Sequence, residues 1–217
     1  RGRSSLTATP EAEVPTNARG APLSKRGERT RRKLLDAAEQ VFAELGYYEA
    51  SIVKITEAAG VSQGTFYIYF ESKQQIFDEL VADLNRRVRH AMSEAAKKGR
   101  TRAERERLGF AGYFRFTAEH PALYRIIRQA EFVSPDAMRR HYAKIAEGYM
   151  EGLRQAMDDG EIVRADPEVL AYALMGIGEL IGMRWILWDD KQPPRQVPED
   201  VFEEMHRFIT RGLGATA

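Results

Sequence analysis

Between positions 62 and 69 the chain places four hydroxyls (Ser62, Thr65, Tyr67, Tyr69), one carboxamide (Gln63) and a glycine (Gly64). None of these is a nucleophile with a base beside it, and none is a strong metal ligand. Their chemistry is short-range hydrogen bonding, of the kind that suits phosphate oxygens and base edges. Phe66 and Phe70 are threaded among them, so four aromatic residues fall within five positions of the run VSQGTFYIYFESK. Phenylalanines four apart share one side of a helical turn and face inward, and the hydroxyls are then left to the outer side and the N-terminal end.

One other pair has catalytic spacing. Glu203 and His206 stand at i, i+3, as in carboxylate di-iron bundles, but such a centre needs a second pair and two more carboxylates, and the sequence supplies one pair. HExxH, phosphate-loop and nucleophile-elbow patterns are absent from the sequence. No catalytic residue, metal site or cofactor is expected. A non-regulatory helical-bundle metal enzyme is the weaker alternative.

Helical periodicity supplies the elements that must carry the 62–69 run. Leu34, Ala38, Val41, Phe42 and Leu45 form one amphipathic face, stopped by Gly46. A short helix follows from Ser51 to Gly60, and Ser62 caps another from Gln63 to about Tyr69. A fourth runs from Ser72 towards Lys97 with Ile76, Leu80, Leu84 and Val88 at four-residue steps. Further helices are expected at about 101–119, 121–132, 135–158, 167–188 and 198–211, with prolines marking most of the starts. The predicted class is all-α, with nine helices. Two short helices joined by the tight turn Gly60-Val61-Ser62 make a helix-turn-helix, whose second helix lies in the DNA major groove.

Composition supports a nucleic-acid partner. The chain has 217 residues, 43% hydrophobic and 30% charged, with a net charge of +1 that hides an asymmetry. Lys25, Arg26, Arg29, Arg31, Arg32 and Lys33 stand against Glu28 alone, a local charge of 6 − 1 = +5. A basic arm of this kind, abutting a folded segment, meets polyanion. Residues 1–24, rich in Ala, Pro, Thr, Ser and Gly, read as a disordered leader, and Arg1 implies a start further upstream. No apolar run is read as reaching the ~18 residues of a membrane span. The absence of cysteine fits a reducing compartment, so a cytoplasmic, nucleoid-associated protein is expected.

The segment from Arg29 to Phe77, above all FAELGY and AAGVSQGTFYIYFESK, resembles the DNA-binding domain of the tetracycline-repressor (TetR) family. The resemblance implies a homodimeric bacterial repressor with a helix-turn-helix domain at 25–73 and a ligand-binding and dimerisation bundle at 74–217. It also implies that a ligand moves the fourth helix and spreads the two reading heads. DNA contacts are expected from Lys25, Arg26, Arg29, Arg31, Arg32, Ser51, Ser62, Gln63, Gly64, Thr65, Tyr67, Tyr69 and Lys73. Gln63 is the candidate base reader, since a carboxamide bonds an adenine edge at two points. Ser51 and Ile52 stand where the family usually has two threonines.

In the C-terminal half, Phe110, Tyr113, Phe114, Thr117, Tyr124, Tyr149 and Met175 are candidate walls of an effector cavity. His120, Arg125, Arg128 and Arg184 are the polar groups that could orient the effector. The segments EHPALYRIIRQAEFV and GMRWILW look similar to regulators that sense acyl-CoA thioesters. A neutral hydrophobic drug or metabolite is the alternative effector, and activation the alternative to repression. ALMGIGELIGMRWILW is apolar on nearly every face, so it must be buried on all sides. With the helix near 198–211 it is expected to form a four-helix bundle with a two-fold mate, through Gly176, Gly178, Gly182, Trp185 and Phe208.

Overall fold

The computed structural model describes residues 16–188 and 195–215, and every regular element among them is helical. In chain order these are α1 (Lys25–Glu49), α2 (Ile52–Ala59), α3 (Gln63–Tyr69), α4 (Lys73–Ala96), α5 (Arg102–Glu119), α6 (Ala122–Val133), α7 (Pro135–Asp158), α8 (Pro167–Gly182) and α9 (Glu199–Gly212). The all-α, nine-helix expectation holds among the described residues. Six starts are side-chain capped: Ser24, Ser51, Ser62, Ser72, Thr101 and Asp166 each accept a hydrogen bond from a backbone N–H of the first turn. Such caps contribute about 1 kcal/mol each and fix where a helix begins.

Two details depart from the sequence reading. The last turn of the helix expected to reach Trp188 widens to a π-turn over Met183–Leu187, where the Trp188 N–H reaches back to the Met183 carbonyl at 2.9 Å. Residues 16–24, read from composition as part of a disordered leader, instead include a turn built on Asn17. Its side-chain oxygen accepts from the Arg19 and Ala21 N–H groups, while Ala18 N–H bonds the Ile68 carbonyl at the end of α3. The rest of the proposed leader lies outside the described residues.

Two cores share the molecule. The first is built on Leu34, Phe42, Phe66, Phe70, Phe77 and Ile126, and joins α1–α4 to α6 and α7. The second holds Phe110, Phe114, Leu153, Ile186 and Phe202, from α5, α7, the α8 extension and α9. The first core runs without interruption across the 73/74 boundary expected from sequence. Helix α4 packs against α1, α5, α6 and α7. Its crossing with α5 is tight at Gly112, where an added Cβ would lie 2.8 Å from the Ala95 Cβ and 2.9 Å from the Ala91 carbonyl oxygen.

Ion pairs tie α1 to α4. Arg31 pairs with Glu79, Arg87 with Glu39 at 2.9 Å, and Arg32 holds both oxygens of Asp83 at 2.7 and 3.0 Å. Arg86 adds a third bond to Asp83 at 2.9 Å. The end of α1 is held differently. Gly46 adopts φ 77°, a left-handed turn that a side chain resists, and interrupts the helix. The groups freed there are met by other helices: Gln129 of α6 accepts from the Tyr47 N–H at 2.6 Å and points its amide nitrogen at the Phe42 carbonyl, 3.4 Å away.

Burial alone would raise the Asp83 carboxyl, but the Arg32 hydrogen bond and charge, with Arg86 behind them, outweigh it and hold the group below its ordinary value. A depressed carboxyl stabilises the fold above its unfolded pKa, and that contribution is lost as pH falls through the folded value. Asp83→Asn is expected to cost about 1–2 kcal/mol at neutral pH. Melting curves from pH 7 to pH 3 should fall less steeply for the variant than for the parent.

Candidate nucleic-acid interface and effector cavity

The reading head is organised by its caps. Gly60 (φ 65°) ends α2, and the Val61 N–H returns to the Thr56 carbonyl at 3.0 Å. The chain then enters α3 through Ser62, whose hydroxyl accepts from the Thr65 N–H at 3.2 Å and lies 3.0 Å from the Thr65 hydroxyl. Phe66 and Phe70 are wholly buried, as their spacing predicts. Ser62, Gln63, Gly64, Tyr67 and Ile68 are exposed, Tyr67 by 52%. A Cβ on Gly64 would meet nothing nearer than the Ser62 hydroxyl at 3.8 Å, so the backbone is open to a close partner. Tyr69 corrects the sequence reading. Only 9% exposed, it belongs to the core, because position 69 shares the inner side of α3 with Phe66 and Phe70.

The basic arm divides in the same way. Lys25, Arg26 and Arg29 are exposed and make no ion pair among the described residues. Arg31 and Arg32, expected at phosphates, instead join α1 to α4, and Arg31 also lies over the Phe70 ring at 5.3 Å. Lys73 is likewise turned inward. Its ammonium donates to the carbonyls of Tyr47 and Ala50, both at 2.8 Å, and sits 4.4 Å from the Tyr47 ring centroid. The broken end of α1 leaves carbonyls that need a donor, and Lys73 supplies it. Ser51 caps α2 and keeps partial exposure.

Between α4, α5, α6, α7 and α8 lies a cavity of about 50 Å³, walled by Val88, Met92, Phe110, Tyr113, Tyr124, Ile127, Tyr149 and Met175 among others. Beside it, sharing Met92, Ile145 and Tyr149, a wider cleft of about 300 Å³ is lined by Arg89, Arg102, Arg105, Ser93 and Glu106. Arg102 and Glu106 are buried and paired. Burial pushes the Glu106 carboxyl up, against the pull of Arg102. Arg105 is exposed and reaches the carbonyls of Gly99 and Arg100 at 3.4 and 3.3 Å.

Of the expected wall, Phe110, Tyr113, Tyr124, Tyr149 and Met175 line the cavity. Phe114 packs on Phe202, and the Thr117 hydroxyl returns to the Tyr113 carbonyl at 2.9 Å. The polar candidates are elsewhere. His120 meets Arg87 at 3.0 Å, Arg125 reaches the Ala43 carbonyl at 3.4 Å, Arg128 lies 3.9 Å from the Met183 sulfur, and Arg184 covers Trp185. The arginines that border the cleft are Arg89, Arg102 and Arg105. Their helices carry no local signal that distinguishes them from surface charges. The Glu203–His206 pair is also engaged, with Arg107 and with the Ala103 carbonyl at 3.0 Å.

Residues 34–80 match the family model described as bacterial regulatory proteins, tetR family. The reading head is a TetR-type DNA-binding domain of the kind found in HTH-type transcriptional regulators. The chain is similar to the HTH-type transcriptional regulator YdgC of Bacillus subtilis, 28% identical over 88% of this chain and 98% of that protein. A second relative is the fatty acid metabolism regulator protein of the same organism, 28% identical over 73% of this chain and 84% of that protein. The fold matches the crystal structure of Bacillus subtilis FadR in complex with stearoyl-CoA, with a TM-score of 0.72 and 22% identity over 83% of this chain and 98% of that one.

The structure places the α8 glycines differently from the sequence reading. Gly178 and Gly182 face inward: an added Cβ would lie 2.8 Å from the Phe110 ring at one and 3.3 Å from the Tyr124 hydroxyl at the other. They bring α8 close to α5 and α6 and leave no role for themselves at an interface. Gly176 opens onto free space, Trp185 is half-buried, and Phe208 is 67% exposed. The outward apolar residues of α8 are Val169, Tyr172, Leu180 and, beyond its π-turn, Trp188. The stretch Pro167–Leu187 does reach the length and apolarity of a membrane span, contrary to the sequence reading, with a third of it buried.

Tyr67→Ala is expected to leave the unfolding free energy within about 0.5 kcal/mol of the parent. It should cost about 1–3 kcal/mol of binding to an operator fragment selected from random DNA. Replacing Lys25, Arg26 and Arg29 by alanine should flatten the salt dependence of that binding, by about 0.9 in log–log slope for each phosphate no longer neutralised. Arg31→Ala should leave the slope alone and lower stability by about 1–2 kcal/mol.

Proposed function

We propose that the chain is a dimeric repressor that leaves its operator when an acyl-CoA thioester occupies the α4–α8 cavity. The observation that carries this reading is the pairing of two unlike lobes through shared walls. The inner lobe is mostly aromatic and aliphatic, and the outer one sets Arg89, Arg102 and Arg105 against Glu106, the single acid among its described residues. An acyl group suits the first and the phosphates of coenzyme A suit the second, since guanidinium groups bind phosphate oxygens in charge-assisted pairs. The stearoyl-CoA held by the FadR structure and the name of the fatty acid metabolism regulator support the same class.

Coupling to DNA follows from α4. Val88 and Met92 wall the cavity, while Glu79 and Asp83 on the same helix hold the arm of α1. A ligand that prefers a shifted α4 pulls on these pairs and alters the spacing of two reading heads. Release requires that preference, and a ligand bound equally well in both states would leave the operator occupied. The exposed apolar face of α8 with Phe208 of α9 is the dimer interface in this reading, which accounts for a helix apolar enough to cross a membrane. Each head alone would read half a palindromic site.

Two measurements test the proposal. Titrating the operator complex with acyl-CoAs and the matching free acids should release DNA only with thioesters. In Arg89→Ala/Arg105→Ala the effective thioester should weaken at least about tenfold, the worth of one charge-assisted bond. Release by a neutral hydrophobe, unaffected by the double change, would replace the thioester reading. Leu180→Glu/Phe208→Glu should be monomeric by light scattering and lose high-affinity operator binding, and a dimer in that variant would move the interface.

A further inference from the structure

The loop ahead of α1 has a defined geometry. The Asn17 side-chain oxygen accepts from the Arg19 and Ala21 N–H groups at 2.9 and 3.0 Å. Its backbone N–H donates to the Ala21 carbonyl and its carbonyl accepts from the Gly20 N–H, both at 2.9 Å. Gly20 closes this turn at φ 78°, in the region that favours glycine. Ala18 N–H fastens the turn to α3 through the Ile68 carbonyl at 2.9 Å, and Leu23 packs on the first core before Ser24 caps α1. The residue left at the tip is Arg19, exposed and without an ion pair among the described residues. A second observation concerns where that tip lies. Ile68, to which the neighbouring residue is bonded, is 53% exposed and follows the exposed Tyr67 in α3. On the other flank, Lys25, Arg26 and Arg29 are exposed in the first turns of α1, and Glu28 is the one acid between positions 16 and 33. The loop therefore carries positive charge from the basic arm to the side of the reading helix.

A duplex that takes α3 in its major groove presents the phosphates of the groove edge to whatever flanks that helix. A guanidinium suits them, since it can donate to phosphate oxygens at two points. Held on a closed turn, it also gives up little backbone freedom when it binds. We infer that Arg19 is a DNA contact, bonding a phosphate beside the bases that α3 reads, and that the Asn17 turn positions it. A phosphate contact of this kind sets the register of the head on the duplex and carries no base preference of its own. The inference rests on the operator-binding reading, and it extends the interface into a segment that composition assigns to a disordered leader.

Binding of the full chain to an operator fragment selected from random DNA, followed by fluorescence anisotropy across a salt series, tests it. Arg19→Ala should weaken binding about fivefold or more near about 0.1 M salt, and lower the log–log salt slope by about 0.9 for each head bound. Its melting temperature should match the parent's, because the side chain it removes is exposed and unpaired. Asn17→Ala keeps the charge but undoes the turn, and should lose most of the same affinity. Ethylation of the fragment's phosphates should interfere with the parent at a position where Arg19→Ala is indifferent. A parental salt slope in Arg19→Ala, or full affinity in Asn17→Ala, overturns the inference. The operator reading then still stands on the loss of binding in Tyr67→Ala. A parent chain that selects no DNA sinks both.

Discussion

Helix α4 is bound at three places along its length, and the rest of the molecule is arranged around meeting all three at once. At its start, Lys73 closes the frayed end of α1. In its middle, Asp83 is gripped by Arg32 and Arg86 and is almost wholly out of solvent. Towards its end, Ala91 and Ala95 are pressed against α5, where only a glycine fits at position 112. Packed interiors shift between discrete arrangements rather than flex continuously. A helix fixed in this way moves as a unit or not at all.

The charged contacts along α4 weigh differently from surface pairs. Exposed ion pairs contribute little, because water and salt screen them. Asp83 is the exception, since its carboxylate is buried and leans on three hydrogen bonds. Removing one partner would leave a buried charge exposed to the low dielectric around it, which costs more than the pair contributes. Arg31 is similar: partly desolvated over the Phe70 ring, its guanidinium is held below its ordinary pKa first by burial and then by the charges of Arg86 and Arg32.

What could be read in the sequence was local. Ser62 followed by Gln63-Gly64-Thr65, and Ser51 before an apolar run, state their own caps. Gly46 and Gly60 mark ends that the backbone bears out with positive φ. Phe66 and Phe70 declare an inner face by spacing alone. What could not be read was non-local. Arg31 and Glu79 are 48 positions apart, and nothing near Arg31 marks it as different from Arg29. Tyr69 shares a residue type and a helix with Tyr67 but sits on the other side of it. The α8 glycines signalled a close approach correctly, yet a missing side chain says nothing about which neighbour takes the space. The cleft arginines were missed for the same reason, since Arg89, Arg102 and Arg105 converge only after α4 and α5 have packed.

Gln129 and the cavity residues Tyr124 and Ile127 lie on one helix of twelve residues, α6. One end of that short rod touches the cavity, and a neighbouring turn holds the broken end of α1 through the amide of Gln129. Any free energy an occupant of the cavity spends displacing the rod is felt at α1, and linkage makes the influence mutual. Whatever clamps the reading head must therefore alter the affinity of the cavity by the same factor that the cavity's occupant alters the clamp. In the repressor proposed above, a chain held on its target is then a poorer receptor than the same chain free in solution, and sensitivity becomes a property of occupancy rather than of the cavity alone.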